Sequence, residues 1–425
     1  MPGARGAQRE IPGEPGAVRG TRGAGHGISR HFVPEPRRVV VPGVSRPIRP
    51  LLRRKQAGRP PFQDAVRRRR GQAGTQDGGW VMRMGDVYIA GIGVHLPDRY
   101  SAEQAVAEGR YDAEVCESTG MLSVSVAGDT PAPDLAITAG RAALRMANIR
   151  AEDFAVLVHT HSHFQGPEIW SAHHYILNNT VGLPIPALSL SQGCLASVTA
   201  LSFVRSFLKV GTDKTAALIT AADNFGTPVI DRWRAMNLAP LGDGGGAMVL
   251  STESGFARLL SNGAHSKPMM EGLHRGGEQM FPPPITVGEP VDLERRFAYW
   301  NQQWAQGVKP PTGDATENVR ESVAQALADA ELKMGDITRV VQPNFGKPAM
   351  CNFFLDPIDV ELERGTYEFG RRVGHVGPVD SIAGLEHLWR TGQVRAGEIV
   401  LLLSETPGME AGAVLVEITR DWKEQ

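Results

Sequence analysis

Residues 185–211 read IPALSLSQGCLASVTALSFVRSFLKVG, and this stretch decides the fold. A short apolar strand, IPALSLSQGC, runs through Gly193-Cys194 into a helix that Gly211 closes. The strand TAALITAA follows at once. Upstream lie the strand DVYIAGIGVHLP, the helix APDLAITAGRAALRMANI with Asp134 near its start, and the strand FAVLVHTH. Downstream, LGDGGGAMVLS and GFARLLSNG read as a hairpin-like pair. Alternating strands and helices at this spacing predict an α/β fold.

The order of elements then repeats. ENVRESVAQALADAELKMGDITRVVQPNF restates helix then strand. GHVGPVDSIAGLEHLWRTGQVRAGEIVLLLS restates helix, closing Gly392 and strand, and GAVLVEI echoes GAMVLS. Laying Gly211 on Gly392 superposes Gly193-Cys194 on Gly374-His375. Two α/β halves related by a pseudo-twofold axis would bring those two junctions toward one cleft. The expected division is 84–257 for the first half and 258–425 for the second.

Residues 1–83 are of another kind. They hold 18 Lys+Arg against 5 Asp+Glu, whereas 84–425 hold 27 against 41, so the near-neutral total hides two unlike parts. Glycine and proline recur throughout, and no hydrophobic period persists, which predicts a disordered basic segment. The runs Arg53-Arg54-Lys55 and Arg67-Arg68-Arg69-Arg70 suit an acidic surface, but there is little aromatic content for base stacking, so no nucleic-acid partner is expected. Met82 and Met84 stand where order is expected to begin, and we expect the working protein to start at one of them. Intact-mass measurement of the native protein should give a mass lacking the first eighty or so residues; a mass that includes them refutes this.

No stretch approaches the roughly 18–20 apolar residues of a membrane span. Three scattered cysteines, Cys116, Cys194 and Cys351, make no disulfide framework and point to a reducing, cytoplasmic setting. Only Cys194 has a chemical setting. A helix N-terminus favours thiolate over thiol, Gly193 permits the turn that exposes the sulfur, and the Cys194 N–H is placed to face an oxyanion. The competing reading is a small buried core residue.

SLSQGCLASVTAL, LGDGGGAMVL and the duplicated layout resemble the thiolase superfamily, most of all its branch of 3-oxoacyl-acyl-carrier-protein synthase III-like condensing enzymes. The resemblance covers about residues 84–425. It implies thiolase-like duplicated α/β halves in a layered α-β-α-β-α arrangement, an acyltransferase that needs no cofactor or metal, and a homodimer paired through the sheet edge of the first half. Cys194 matches the acyl-accepting nucleophile. The synthase III branch carries a strand-end histidine and a later asparagine; here Asn344 stands at the first place and His375 at the second. That exchange is similar to thiolases, yet their second C-terminal cysteine is missing from SETPGMEAG.

On this resemblance His375 takes the Cys194 proton, and Asn344 donates to the oxygen that becomes negative in the second step. A peptide N–H near Gly408 joins that of Cys194 as oxyanion donor, although Pro407 beside it has no N–H. The donor substrate is acyl-CoA or an acyl-carrier-protein thioester. The second step is a Claisen condensation with a malonyl-type extender, in fatty-acid-like or secondary-metabolite biosynthesis. The alternative is acyl transfer to a hydroxyl or amine.

A rival of another class rests on HTHSHF, whose alternate His159, His161 and His163 resemble a metal-hydrolase motif. Ser162 replaces the aspartate that motif needs, and His161 and His163 are read instead as lining the mouth of the acyl cleft. GDGGGA is not a phosphate loop, since no Lys-Ser/Thr follows and it enters a strand. Tight backbone packing is its better reading.

Overall fold

The structure, a computed structural model, describes residues 86–210, 212–226, 230–309, 311, 314–406 and 410–423. The basic segment 1–83, Gly211, Pro407 and Gly408 lie outside the described residues. Nine strands form one mixed sheet. They are β1 (Tyr88–His95), β2 (Phe154–His161), β3 (Ala187–Ser191), β4 (Ala216–Asp223), β5 (Gly244–Ser251), β6 (Ala257–Ser266), β7 (Ile337–Val341), β8 (Ile399–Thr406) and β9 (Glu410–Ile418). Five helices matter for the site: α1 (Ala132–Ala147), α2 (Ala196–Val210), α3 (Leu293–Ala305), α4 (Ala315–Asp329) and α5 (Val379–Arg390).

The sheet order is β3-β2-β4-β5-β1-β6-β9-β8-β7. From β2 to β1 the pairings run parallel, antiparallel, antiparallel, and from β7 inward to β6 they run the same way. The two series meet only where Tyr88 and Ile89 of β1 pair with Arg258 and Ala257 of β6. One expectation fails here. GAMVLS and ARLLSNG are not a hairpin, because β1 lies between β5 and β6. Their short spacing suggested direct pairing, but β1 supplies an antiparallel edge to both.

Helix α1 packs on β1, β5 and β4, and α4 packs on β6 and β9. Helices α2 and α5 touch each other and reach both strand series, α2 through β4 and β9, α5 through β5 and β8. The result is a layered α-β-α-β-α arrangement. Strands covered on both faces must be apolar on both, which is why β4 and β5 are buried along their whole length. The middle core layer joins Leu195, just before α2, and Val198, Leu201, Val204 and Leu208 of α2 to Ile382, Leu385, Leu388 and Trp389 of α5.

The stretch Gly193–Val210 is apolar and long enough, by length and composition, to cross a membrane, contrary to the expectation that none is. Its buried leucines and valines belong to this middle layer, so packing between strand series accounts for its composition.

The glycine-rich stretch is a packing device, as its sequence suggests. A Cβ on Gly245 of β5 would collide with the Leu135 carbonyl of α1, so the helix can ride this close only over a bare backbone. Asp243 just before it is fully buried and holds Arg232 through bonds of 2.9 and 2.8 Å. Gly245→Ala should therefore lower stability by about 1–3 kcal/mol, as overpacking does. Gly335→Ala, with nothing within 4 Å of its Cβ, should change little. Chemical denaturation of the two variants checks this.

Candidate active site

β3 passes through Gln192 to Gly193, whose φ of 57° lies in the left-handed region, and a single 3-10 turn over Gly193–Leu195 then enters α2. Cys194 is thus set at the N-terminus of a helix with 15 residues from Ala196 on, where unpaired N–H groups favour a negative sulfur. Its Sγ lies 2.9 Å from His375 Nε2. The two junctions matched by the internal repeat meet in space.

His375 is fixed from all sides. Gly374 takes φ 82°, and a Cβ there would strike the Val124 side chain. The backbone of His375 exchanges hydrogen bonds with the 240–242 loop, donating to Pro240 O at 3.0 Å and accepting from Gly242 N at 2.9 Å. Phe345 stands edge-on to the imidazole at 4.8 Å. His375 Nδ1 lies 2.5 Å from Asp380 Oδ2, in the first turn of α5. Burial alone would pull the imidazole below the usual histidine range; the Cys194 sulfur and the Asp380 carboxylate overcome it and hold it well above. That favours the imidazolium form of His375.

Asn344, just after β7, has its amide hydrogens directed at protein acceptors. Its Nδ2 donates to Asp380 Oδ1 at 2.9 Å and to Gly374 O at 3.1 Å, which engages both amide hydrogens. The reverse amide orientation would set oxygen against carboxylate and carbonyl. Its backbone N–H also donates to Asp380 Oδ2 at 2.8 Å. Asn344 here positions Asp380 rather than lending a donor to the cleft, because the buried carboxylate is the stronger acceptor.

His163 lines the cavity beside Cys194, whereas His161 stacks on His159 and its Nδ1 is 3.1 Å from the His163 carbonyl. His159 is wholly buried with its ring nitrogens on Thr220 and Gln165. The alternating histidines therefore point to separate partners. Among the described residues no three His, Cys, Asp or Glu side chains form a group able to hold a metal.

Two acids escaped the sequence reading. Asp380 lies five residues after His375 at a helix start, where an acid reads as an ordinary first-turn residue. Glu405 sits at the end of β8, where nothing marks it. It lines the same cavity as Cys194 and His375. That cavity, about 390 Å³, is mostly apolar, with Met236, Leu241, Phe345 and Phe354 on one part of its wall. Leu273, Leu293 and Phe297 come from the segment after β6.

With this geometry in place, comparison with known proteins is informative. Residues 188–268 match the family profile of 3-oxoacyl-[acyl-carrier-protein] synthase III, and 327–418 match the profile of that enzyme's C-terminal part. The solved structure of the acyltransferase ChlB3 is 34% identical, covers 79% of this chain and 98% of its own, and superposes with a TM-score of 0.74. Acetoacetyl CoA synthase NphT7 of a Streptomyces species (strain CL190) is 28% identical across 77% of this chain and 98% of its own length. The beta-ketoacyl-[acyl-carrier-protein] synthase III of Pseudomonas aeruginosa is 24% identical across 77% and 94%.

The fold and these matches define a thiolase-fold transferase. The chain belongs to the 3-oxoacyl-acyl-carrier-protein synthase III-like family of condensing enzymes.

Asp380→Asn should remove the charge that supports the His375 imidazolium. Cys194 acylation by an acyl-CoA should slow by roughly 10²–10⁴-fold in rapid-quench mass spectrometry. An unchanged rate would show that Asp380 serves only packing.

Proposed function

We propose that the protein is a thioester-dependent acyltransferase that works through an acyl-Cys194 intermediate and passes the acyl group to a hydroxyl or amine. The Cys194–His375–Asp380 relay, at 2.9 and 2.5 Å, supports the acyl-cysteine step, and the engaged Asn344 amide supports the choice of acceptor. In the first step the Cys194 thiolate attacks the thioester carbonyl. The departing thiolate of CoA or a carrier protein takes the proton from His375, and the imidazole becomes neutral. In the second step the acceptor's oxygen or nitrogen attacks the acyl-cysteine while His375 Nε2 takes its proton. Cys194 leaves as thiolate, and the starting ion pair is restored. Asp380 holds the imidazole with Nδ1 toward itself, so Nε2 serves the sulfur and the acceptor in turn.

Decarboxylative condensation with a malonyl-type extender is the second reading. It is favoured by the names of NphT7 and of the Pseudomonas synthase. It requires donors for an enolate oxygen, and Asn344, expected to supply one, has both amide hydrogens engaged. On either reading the donor is acyl-CoA or an acyl carrier protein, no cofactor takes part, and the working unit is a cytoplasmic homodimer, as the family resemblance implies.

Incubating the enzyme with acyl-CoA and malonyl-CoA, or malonyl carrier protein, separates the two. Heteroatom transfer predicts an acylated Cys194, no CO2 and discharge to alcohols or amines. CO2 release coupled to a 3-oxoacyl product would overturn it in favour of condensation. Cys194→Ala should abolish acyl-enzyme formation under both.

A further inference from the structure

We propose that Glu405 grips the acyl acceptor, its carboxyl receiving a hydrogen bond from the hydroxyl or amine that attacks the acyl-cysteine. This rests on the acyl-transfer reading above and names a residue for its second step. Glu405 is the penultimate residue of β8, and the end of that strand packs against the Gly193–Leu195 turn. The side chain lines the cavity that Cys194, Phe353 and Phe354 also line.

Its surroundings leave it incomplete. Glu405 Oε1 is buried without a hydrogen-bond partner among the described residues, and no ion pair there includes it. Burial pushes its pKa up to about 8, and a side-chain contact with Asn318, outside ordinary hydrogen-bond geometry, pulls the other way. Asn318 Nδ2 is itself without a completed hydrogen bond. A carboxyl in a mostly apolar cavity with no structural ion pair is a group awaiting a ligand.

The chemistry of that ligand follows from what each substrate can offer. The acyl group on Cys194 brings a hydrocarbon chain and a carbonyl, neither of which donates a hydrogen bond. A malonyl-type extender brings a carboxylate that only accepts, so it cannot supply the donor that the unpartnered Glu405 Oε1 lacks. A hydroxyl or amine supplies the missing donor and, near neutral pH, also accepts one from the protonated acid. Glu405 would then hold the acceptor while His375 removes its proton. The other ionisable groups of the cavity leave this place open: Cys194 and His375 are engaged with each other, and burial keeps His163 and His274 toward the neutral form.

The test separates the two half-reactions. Enzyme is acylated with butyryl-CoA and followed by intact mass, then freed of CoA and discharged with benzyl alcohol or benzylamine as probe. Glu405→Leu should keep the acylation rate within about twofold but slow discharge to the probe by at least about tenfold, with KM for the probe raised. Glu405→Gln, which still hydrogen-bonds, should recover most of the loss. Discharge of the Leu variant at the wild-type rate would overturn the proposal, as would equal loss of acylation and discharge. A wild-type enzyme that takes no butyryl group on Cys194 would instead refute the acyl-enzyme reading. A wild-type acyl-enzyme that discharges only onto malonyl-CoA would refute the acceptor class and this assignment with it.

Discussion

The site depends on one buried carboxylate. Asp380 accepts from His375 Nδ1, Val376 N, Asn344 N and Asn344 Nδ2, all within 2.5–2.9 Å. An ion of this size loses several kcal/mol of solvation on entering a protein interior, and only a full set of donors and an opposite charge offsets that. The four bonds tie the end of β7, the turn carrying His375 and the first turn of α5 to a single point. The imidazole can then present Nε2 to the sulfur in one orientation only.

This arrangement explains why Asn344 and His375, exchanged relative to the synthase III pattern, still make a coherent site. The asparagine at the strand end secures the acid that supports the histidine. Around the Cys194–His375 pair the cavity wall is chiefly hydrocarbon, which strengthens every charge interaction inside it. The two acids have opposite fates there. Asp380 is saturated with donors, whereas Glu405 lacks them and is driven toward its neutral form.

Much of this architecture was legible in the chain. The lengths and order of strands and helices predicted a duplicated α/β arrangement, since periodicity and punctuating glycines are local properties. The match of Cys194 with His375 through the repeat was legible for the same reason: equivalent junctions in related halves lie near a common axis. The glycine-rich stretch before β5 also read correctly, because a run of bare backbone leading into a strand implies close approach. The β5–β6 pairing did not, since a strand far away in sequence intervenes. Asp380 and Glu405 were invisible, as nothing local separates an acid at a helix start or strand end from a solvated one.

The sequence by itself determined the main strands and helices, the repeated α/β order, and a cysteine at a helix N-terminus. These follow from hydrophobic period, turn residues and helix geometry, which act over a few residues at a time. Only the tertiary structure decided that Asn344 faces Asp380, that His161 turns away from the cavity while His163 lines it, and that Glu405 reaches that cavity. Those facts depend on which donors and acceptors meet across the fold, and a buried hydrogen bond is settled by the competition among all the groups that surround it.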